Sequence, residues 1–213
     1  MQELGRALVV EPVVPNVVMF GGLLEASSAA DKAEILGELI GGSLMGAVAL
    51  YEQQSRFDVA NVATTATADG DVYRLNGTKV CVLAAPSSSK LLVLARTSGE
   101  QTERDGLSLF LLDTQAEGVA LQAYPLMDGQ QAADITFTDA TAELVSELGQ
   151  GLSLVDAMLM RTHVALSAEA VGIMEKLNQT TVAYTKTRKQ FGVPISSFQA
   201  LQHRMVDTFM AFE

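Results

Sequence analysis

From Leu152 to about Gln190 the chain runs without a proline, with only Gly172 as an internal glycine. Leu154, Met158, Ala165, Ala168 and Val171 fall on one face at helical spacing. A single helix of that length reaches ~55 Å at ~1.5 Å per residue. Few folds hold so long a helix, and the pattern predicts a bundle whose neighbours lie along it.

The run leads into Tyr184–Gln202, YTKTRKQFGVPISSFQALQ. Gly192 predicts a helix stop. Pro194 keeps Val193 extended, and Ser196 or Ser197 is expected to cap a second helix. Phe198, Leu201, Met205, Phe209 and Phe212 give that second helix an apolar stripe. Two helices are therefore expected to meet at a Gly-Pro corner that carries Arg188, Gln190 and Phe191. Taken without any resemblance, Arg188 reads first as a last-turn cation and Phe191 as a core anchor.

Upstream the period changes. Residues 1–42 read as short helices: Glu3 to Leu8, then Asn16 to Leu24, then Ala29 to Ile40 behind Ser28, with Pro12 and Pro15 as breaks and Gly41-Gly42 as an end. Residues 43–148 read as short strands. These are Leu44–Leu50, Asn61–Thr67, Val72–Leu75, Lys79–Ala84, Leu91–Arg96, Leu107–Leu112, Val119–Tyr124 and Asp134–Thr138. Asn76-Gly77 is the strongest hairpin signal among their turns. Residues 149–213 are helical. The chain is thus an α+β multidomain protein: helices, a small antiparallel β-barrel or sandwich, then the start of a helical bundle.

Composition narrows the partners. A net charge of −11 and a pI of about 4.6 argue against nucleic acid and anionic membrane surfaces. No uninterrupted apolar run of ~18 residues suggests a membrane span. The one cysteine, Cys81, excludes an internal disulfide framework and suits a reducing cytoplasm. No Ser-His-Asp spacing, phosphate-binding glycine loop or metal cluster is present. His163 and His203 fall in no metal-ligand spacing and read as surface or packing residues.

The order R-x-Q-F-G-x-P-I-x-x-F-Q-x-x-Q-H, starting at Arg188, closely resembles the acyl-CoA dehydrogenase family at the start of its C-terminal helical domain. The helix–β–helix order resembles that family independently. The resemblance implies that Arg188, Gln190 and Phe191, with Gln199 a further candidate, face the pyrophosphate and adenosine end of a neighbouring subunit's FAD. A guanidinium fork suits phosphate oxygens better than a lysine does. It also implies FAD-dependent α,β-dehydrogenation of an acyl-CoA, an electron-transfer flavoprotein as electron acceptor, and a homo-oligomer or a heteromeric partner subunit. ELGRALVVEP and DGQQAADITF resemble the small subunit of heteromeric, pimeloyl-CoA-dehydrogenase-like members.

The same resemblance exposes departures. In Ala49–Asp58, ALYEQQSRFD, Glu52 and Asp58 match the family motif. Tyr51 stands where relatives carry a hydroxyl near the flavin, and Arg56-Phe57 stands for a glycine and a hydroxyl. Along Lys79–Leu83, Cys81 replaces a tryptophan and Leu83 a hydroxyl residue that lie on the isoalloxazine ring. The family's catalytic carboxylate is expected either beyond Glu213 or, in some members, ten residues before Gly172. The latter position is Thr162, next to His163, so no catalytic residue is assigned. Glu169, two turns on, is read first as a buried or interface carboxylate and second as a relocated base.

Overall fold

A computed structural model describes all 213 residues. They divide into two compact units, Val10–Thr162 and Met1–Val9 with His163–Glu213.

The larger unit is built on one seven-stranded sheet. Its strands are β1 (Gly46–Ala49), β2 (Thr65–Asp69), β3 (Val72–Leu83), β4 (Lys90–Arg96), β5 (Leu107–Asp113), β6 (Val119–Pro125) and β7 (Gln131–Leu144). Successive pairings run β4-β2-β3-β7-β5, and β5 pairs back with β4, so the sheet closes. The expected barrel is therefore present. Most pairings are antiparallel, but β4 takes β1 and β2 in parallel, so the sheet is mixed.

Alternation along β4 and β5 explains their unbroken burial. Leu91, Val93, Ala95, Phe110 and Leu112 belong to one buried cluster; Leu92, Leu94, Leu107, Leu109 and Leu111 belong to another. The second cluster packs under helical residues Phe20, Leu23, Leu24 and Ile35. Gly46 makes this approach possible, because a Cβ there would run into the ring of Phe20.

Asn76-Gly77 does not make the expected hairpin. β3 runs through it, with a register irregularity between Leu75 and Gly77. Gly77 is needed for a different reason: its φ is 147°, and a Cβ would lie 2.5 Å from Thr64 Oγ1. The Asn76 side chain bridges instead to Asp139. The hairpin turn is at Gly70-Asp71, where Asp69 pairs with Val72. Two other expectations also shift. Asn61–Thr67 is a strand only from Thr65, and Pro15 starts rather than breaks a helix. That helix is a π-helix, Val14–Gly21, continued by α2 (Gly22–Ala26), with α3 (Lys32–Gly41) following. Proline is tolerated in a first turn because its missing N–H has no helical partner there.

The smaller unit holds α1 (Gln2–Ala7), most of α4 (Gly151–Thr187) and α5 (Gln199–Phe212). α4 is the long helix expected from the proline-free run, but it ends at Thr187 rather than near Gln190. Gly5 and Gly172 let α1 lie directly on α4: a Cβ at either would strike backbone of the other helix. Arg6 adds an ion pair to Glu175 at 2.8 Å.

Candidate functional site

The corner is a hairpin, not a helix stop. Lys189 and Gln190 pair antiparallel with Val193 and Pro194, leaving Phe191-Gly192 as a two-residue loop. Both loop residues have positive φ, 53° for Phe191 and 82° for Gly192, as a type I′ turn requires. Gly192 is therefore a turn residue. Ser196 and Ser197 do not cap α5 either. They lie in a 3₁₀ turn, the Ser197 hydroxyl donates to the Pro194 carbonyl at 2.7 Å, and Phe198 takes the N-cap position.

The hairpin holds Arg188 rigidly by its backbone. Its N–H donates to the Tyr184 carbonyl at 2.8 Å, and its carbonyl accepts from Ile195 N at 2.9 Å. Its side chain is exposed, and none of the chain's ion pairs includes it. Gln190 and Gln199 are exposed as well. Phe191 is 92% exposed, so it is not the core anchor that one sequence reading allowed. It meets only Phe198 edge-on among the aromatic rings, at 6.2 Å between centroids. A non-glycine residue at positive φ costs on the order of 1–3 kcal/mol. Here that strain presents a large apolar ring to solvent. The stretch Lys176–Val206 carries Lys176, Lys186, Arg188, Lys189 and Arg204 and no carboxylate. This stretch of sequence is cationic, although the whole chain is acidic.

In the larger unit, Glu52 and Lys79 form a buried ion pair at 2.8 Å, their side chains 4% and 0% exposed. Lys79 Nζ also donates to the Leu50 carbonyl at 2.9 Å. Glu52 accepts from Gln54 Nε2, from Ala63 N and from Thr64 N. Burial by itself raises the Glu52 carboxyl, but the Lys79 ammonium and these hydrogen bonds outweigh it and hold it down at about 2. Burial pushes Lys79 down to about 8, with Glu52 opposing the fall. Glu52 was legible as a motif residue. Its pairing across 27 positions was not.

That pair fixes the backbone beside Tyr51, whose carbonyl accepts from Val80 N at 2.8 Å. β3 bulges between Lys79 and Val82, and Cys81 sits in the bulge, exposed, with φ 53°. The Cys81 amide is taken by Asp134 Oδ1 at 3.0 Å, and the same oxygen accepts from the Tyr124 hydroxyl at 2.7 Å. Burial first, then Asp134, pushes that hydroxyl up to about 12. Tyr51, Val80, Cys81 and Leu83 line a hollow of about 50 Å³ with Pro15, Met19, Val48 and Leu50. In the adjoining loop, Arg56 holds φ 49° although its side chain is not a glycine's, and Phe57 is 95% exposed.

Thr162 is 6% exposed and donates to the Met158 carbonyl at 3.0 Å, a back-bond within α4. Glu169 is half-buried, with its backbone under Gly5 of α1. His163 and His203 are exposed. No group of three or more His, Cys, Asp or Glu is placed to hold a metal, and no helix is long and apolar enough to cross a membrane.

A closed, mostly antiparallel barrel beside α-helical segments defines an acyl-CoA-dehydrogenase-like fold. Comparison with known proteins agrees: residues 47–140 match the acyl-CoA dehydrogenase middle domain, and residues 149–213 its C-terminal domain. The chain belongs to the acyl-CoA dehydrogenase family. It is 31% identical over 97% of its length to a 3-(aryl)acrylate reductase of Clostridium sporogenes, and 30% identical over its full length to a probable acyl-CoA dehydrogenase, FadE25, of Mycobacterium tuberculosis. It spans 57% of the length of each of these curated relatives. Among solved structures, butyryl-CoA dehydrogenase from Megasphaera elsdenii superposes with TM-score 0.91 at 25% identity, over 99% of this chain and 57% of that one. A structure described under the electron transferring flavoprotein of Acidaminococcus fermentans does so with TM-score 0.91 at 27% identity, over 99% and 58%.

FAD is the cofactor of this family, and its two ends fit this chain differently. The phosphate end fits the corner, with its exposed, backbone-pinned guanidinium, its amide side chains and its free aromatic ring. The isoalloxazine end does not fit the face around Cys81. That ring presents acceptors at N1, O2, O4 and N5. The Val80 and Cys81 amides are already spent on Tyr51 and Asp134.

Proposed function

We propose that the chain works in FAD-dependent α,β-dehydrogenation of an acyl-CoA thioester as one part of a larger assembly. The corner carries this reading. Arg188, Gln190 and Phe191 are exposed on a pinned type I′ hairpin within a stretch of cations without carboxylates. FAD, when bound, supplies the two-electron acceptor. Arg188 would hold phosphate oxygens, for which a guanidinium fork is suited. Gln190 and Gln199 supply amide donors and acceptors, and Phe191 offers a flat face to an adenine. The likeness to the A. fermentans structure supports an electron-transfer flavoprotein as the electron partner, and the single, exposed Cys81 suits a reducing cytoplasm.

A second reading, a non-catalytic partner that lends the corner to a neighbour's flavin, is favoured by the hydroxyl at Thr162 and by the poor fit around Cys81. In either reading the chain acts beside another copy or a different subunit. No residue of α5 is buried, and Val206, Phe209 and Met210 are 54%, 55% and 69% exposed. α4 and α5 frame an open apolar groove of about 530 Å³ lined by Met174, Leu177, Leu201 and Met205. Apolar surface of that extent favours association. Sedimentation is expected to show an oligomer, and a monodisperse monomer at high concentration would count against it.

Arg188→Ala tests the reading directly. A charge-assisted hydrogen bond contributes ~1.5–3 kcal/mol, so FAD affinity of the assembly is expected to weaken about tenfold to a hundredfold. The exposed side chain makes no internal contact whose loss would unfold the chain. Equal FAD dissociation constants for variant and parent assemblies would remove the corner from the site.

A further inference from the structure

We propose that Asn76 is a covalent modification site, a deamidation switch that the closed barrel holds off and that separation of β3 from β7 releases. Asn76-Gly77 is the only Asn-Gly in the sequence. A glycine that follows an asparagine leaves its backbone nitrogen unshielded, because it has no Cβ. The reaction needs no reagent but water. The Gly77 nitrogen attacks Asn76 Cγ, the bond from Cγ to Nδ2 breaks, and the backbone amide proton leaves with ammonia. Water then opens the five-membered imide at either carbonyl, leaving aspartate or isoaspartate at position 76.

The fold ties down both ends of the Asn76 side chain. Between the Leu75–Ala140 and Gly77–Phe137 pairs, β7 sets two residues, Thr138 and Asp139, opposite Asn76. This bulge holds Asp139 at φ 49°. Asn76 Nδ2 donates to Asp139 Oδ1 at 2.8 Å, and Asp139 N donates to Asn76 Oδ1 at 2.9 Å. On its other edge Asn76 pairs with Thr65 of β2. Swinging Cγ onto the Gly77 nitrogen gives up both bonds to Asp139. The products do not fit back. Aspartate still accepts from the Asp139 amide, but its second oxygen meets Asp139 Oδ1, carboxylate against carboxylate. Arg74 is spent elsewhere, on the Asp139 carbonyl, Thr141 Oγ1 and the Asp69 carboxylate. Isoaspartate adds a methylene to the backbone just before Gly77, where a Cβ would already lie 2.5 Å from Thr64 Oγ1. The conversion therefore runs one way: a barrel that has opened and reacted closes less stably.

The full chain is incubated folded and in urea at one pH and temperature, and the peptide holding residue 76 is followed by mass, which rises by roughly 1 Da on loss of the amide. The folded chain is expected to convert at least about tenfold more slowly, since reaction then waits on local opening. Asp139→Gly suits the positive φ and removes the side-chain acceptor. It is expected to speed conversion of the folded chain by about threefold or more and to leave the rate in urea unchanged. Asn76→Asp is expected to lower the urea midpoint, and Asp139→Asn in the same chain to recover it. Equal rates folded and unfolded overturn the proposal, as does a folded Asp139→Gly chain that converts no faster than the parent. A midpoint for Asn76→Asp equal to the parent's overturns the one-way step.

Discussion

This chain by itself is expected to show no turnover of acyl-CoA in a dye-linked assay, even with added FAD. The position matching a base on the long helix is Thr162, a hydroxyl 6% exposed and committed to the Met158 carbonyl at 3.0 Å. A buried hydroxyl that donates within its own helix cannot remove a carbon-bound proton. His163 and His203 are exposed and not paired with any carboxylate. Loss of a positioned base ordinarily lowers the rate by ~10²–10⁴, and here the proton abstraction is the reaction itself. Turnover above ~1 s⁻¹, an ordinary enzyme rate, would show that a base exists elsewhere on the chain. Glu169 is then the first residue to replace. Activity that returns only with a second subunit would support the lending role of the corner.

Replacing Lys79 by methionine is expected to destabilise the larger unit by ~3–5 kcal/mol, since removing one partner of a buried ion pair leaves the other charge uncompensated. Methionine fills similar volume, so the loss reports the charge rather than a cavity. The Leu50 carbonyl also loses its lysine donor. Urea unfolding measures the change, and Glu52→Gln in the same chain should restore part of it. A loss below ~1 kcal/mol would mean that Glu52 finds water or another donor and that the pair is not a keystone of the loop.

The same pair sets an acid limit. Glu52 is held at about 2 against an ordinary 4.5. The folded state therefore binds this proton more weakly than the unfolded chain does. The stabilisation, of order 3 kcal/mol, is fully present above about pH 4.5 and is lost as pH falls towards 2. Lys79 stays charged throughout that window, its own value lying near 8. In Lys79→Met the carboxyl rises with burial above its unfolded value, so the folded state then holds this proton more tightly and the acid loss due to Glu52 should disappear, its contribution growing as pH falls. Unfolding midpoints between pH 2 and 6 measure this shift.

Much of the architecture follows from the sequence by itself. Short apolar runs bounded by turn residues gave most strands of the barrel, and the proline-free run gave the long helix, because burial of apolar residues and backbone hydrogen bonding impose those patterns locally. The order of residues around Arg188 marked the corner. Local pattern failed where a residue serves a distant neighbour. Asn76-Gly77 has the composition of a hairpin turn, yet Gly77 is there to clear Thr64 and Asn76 to reach Asp139. Gly192 suits a helix end equally well, and only the pairing of Gln190 with Val193 makes it a turn. Nothing along the chain marks Lys79 as the partner of Glu52, or Asp134 as the group that occupies the Cys81 amide. Those contacts join residues 27 and 53 positions apart, and only closure of the barrel brings them together. The sequence determined the family, the elements and the corner. The tertiary structure decided that the corner is an outward-facing hairpin and that the Cys81 amide is taken by Asp134.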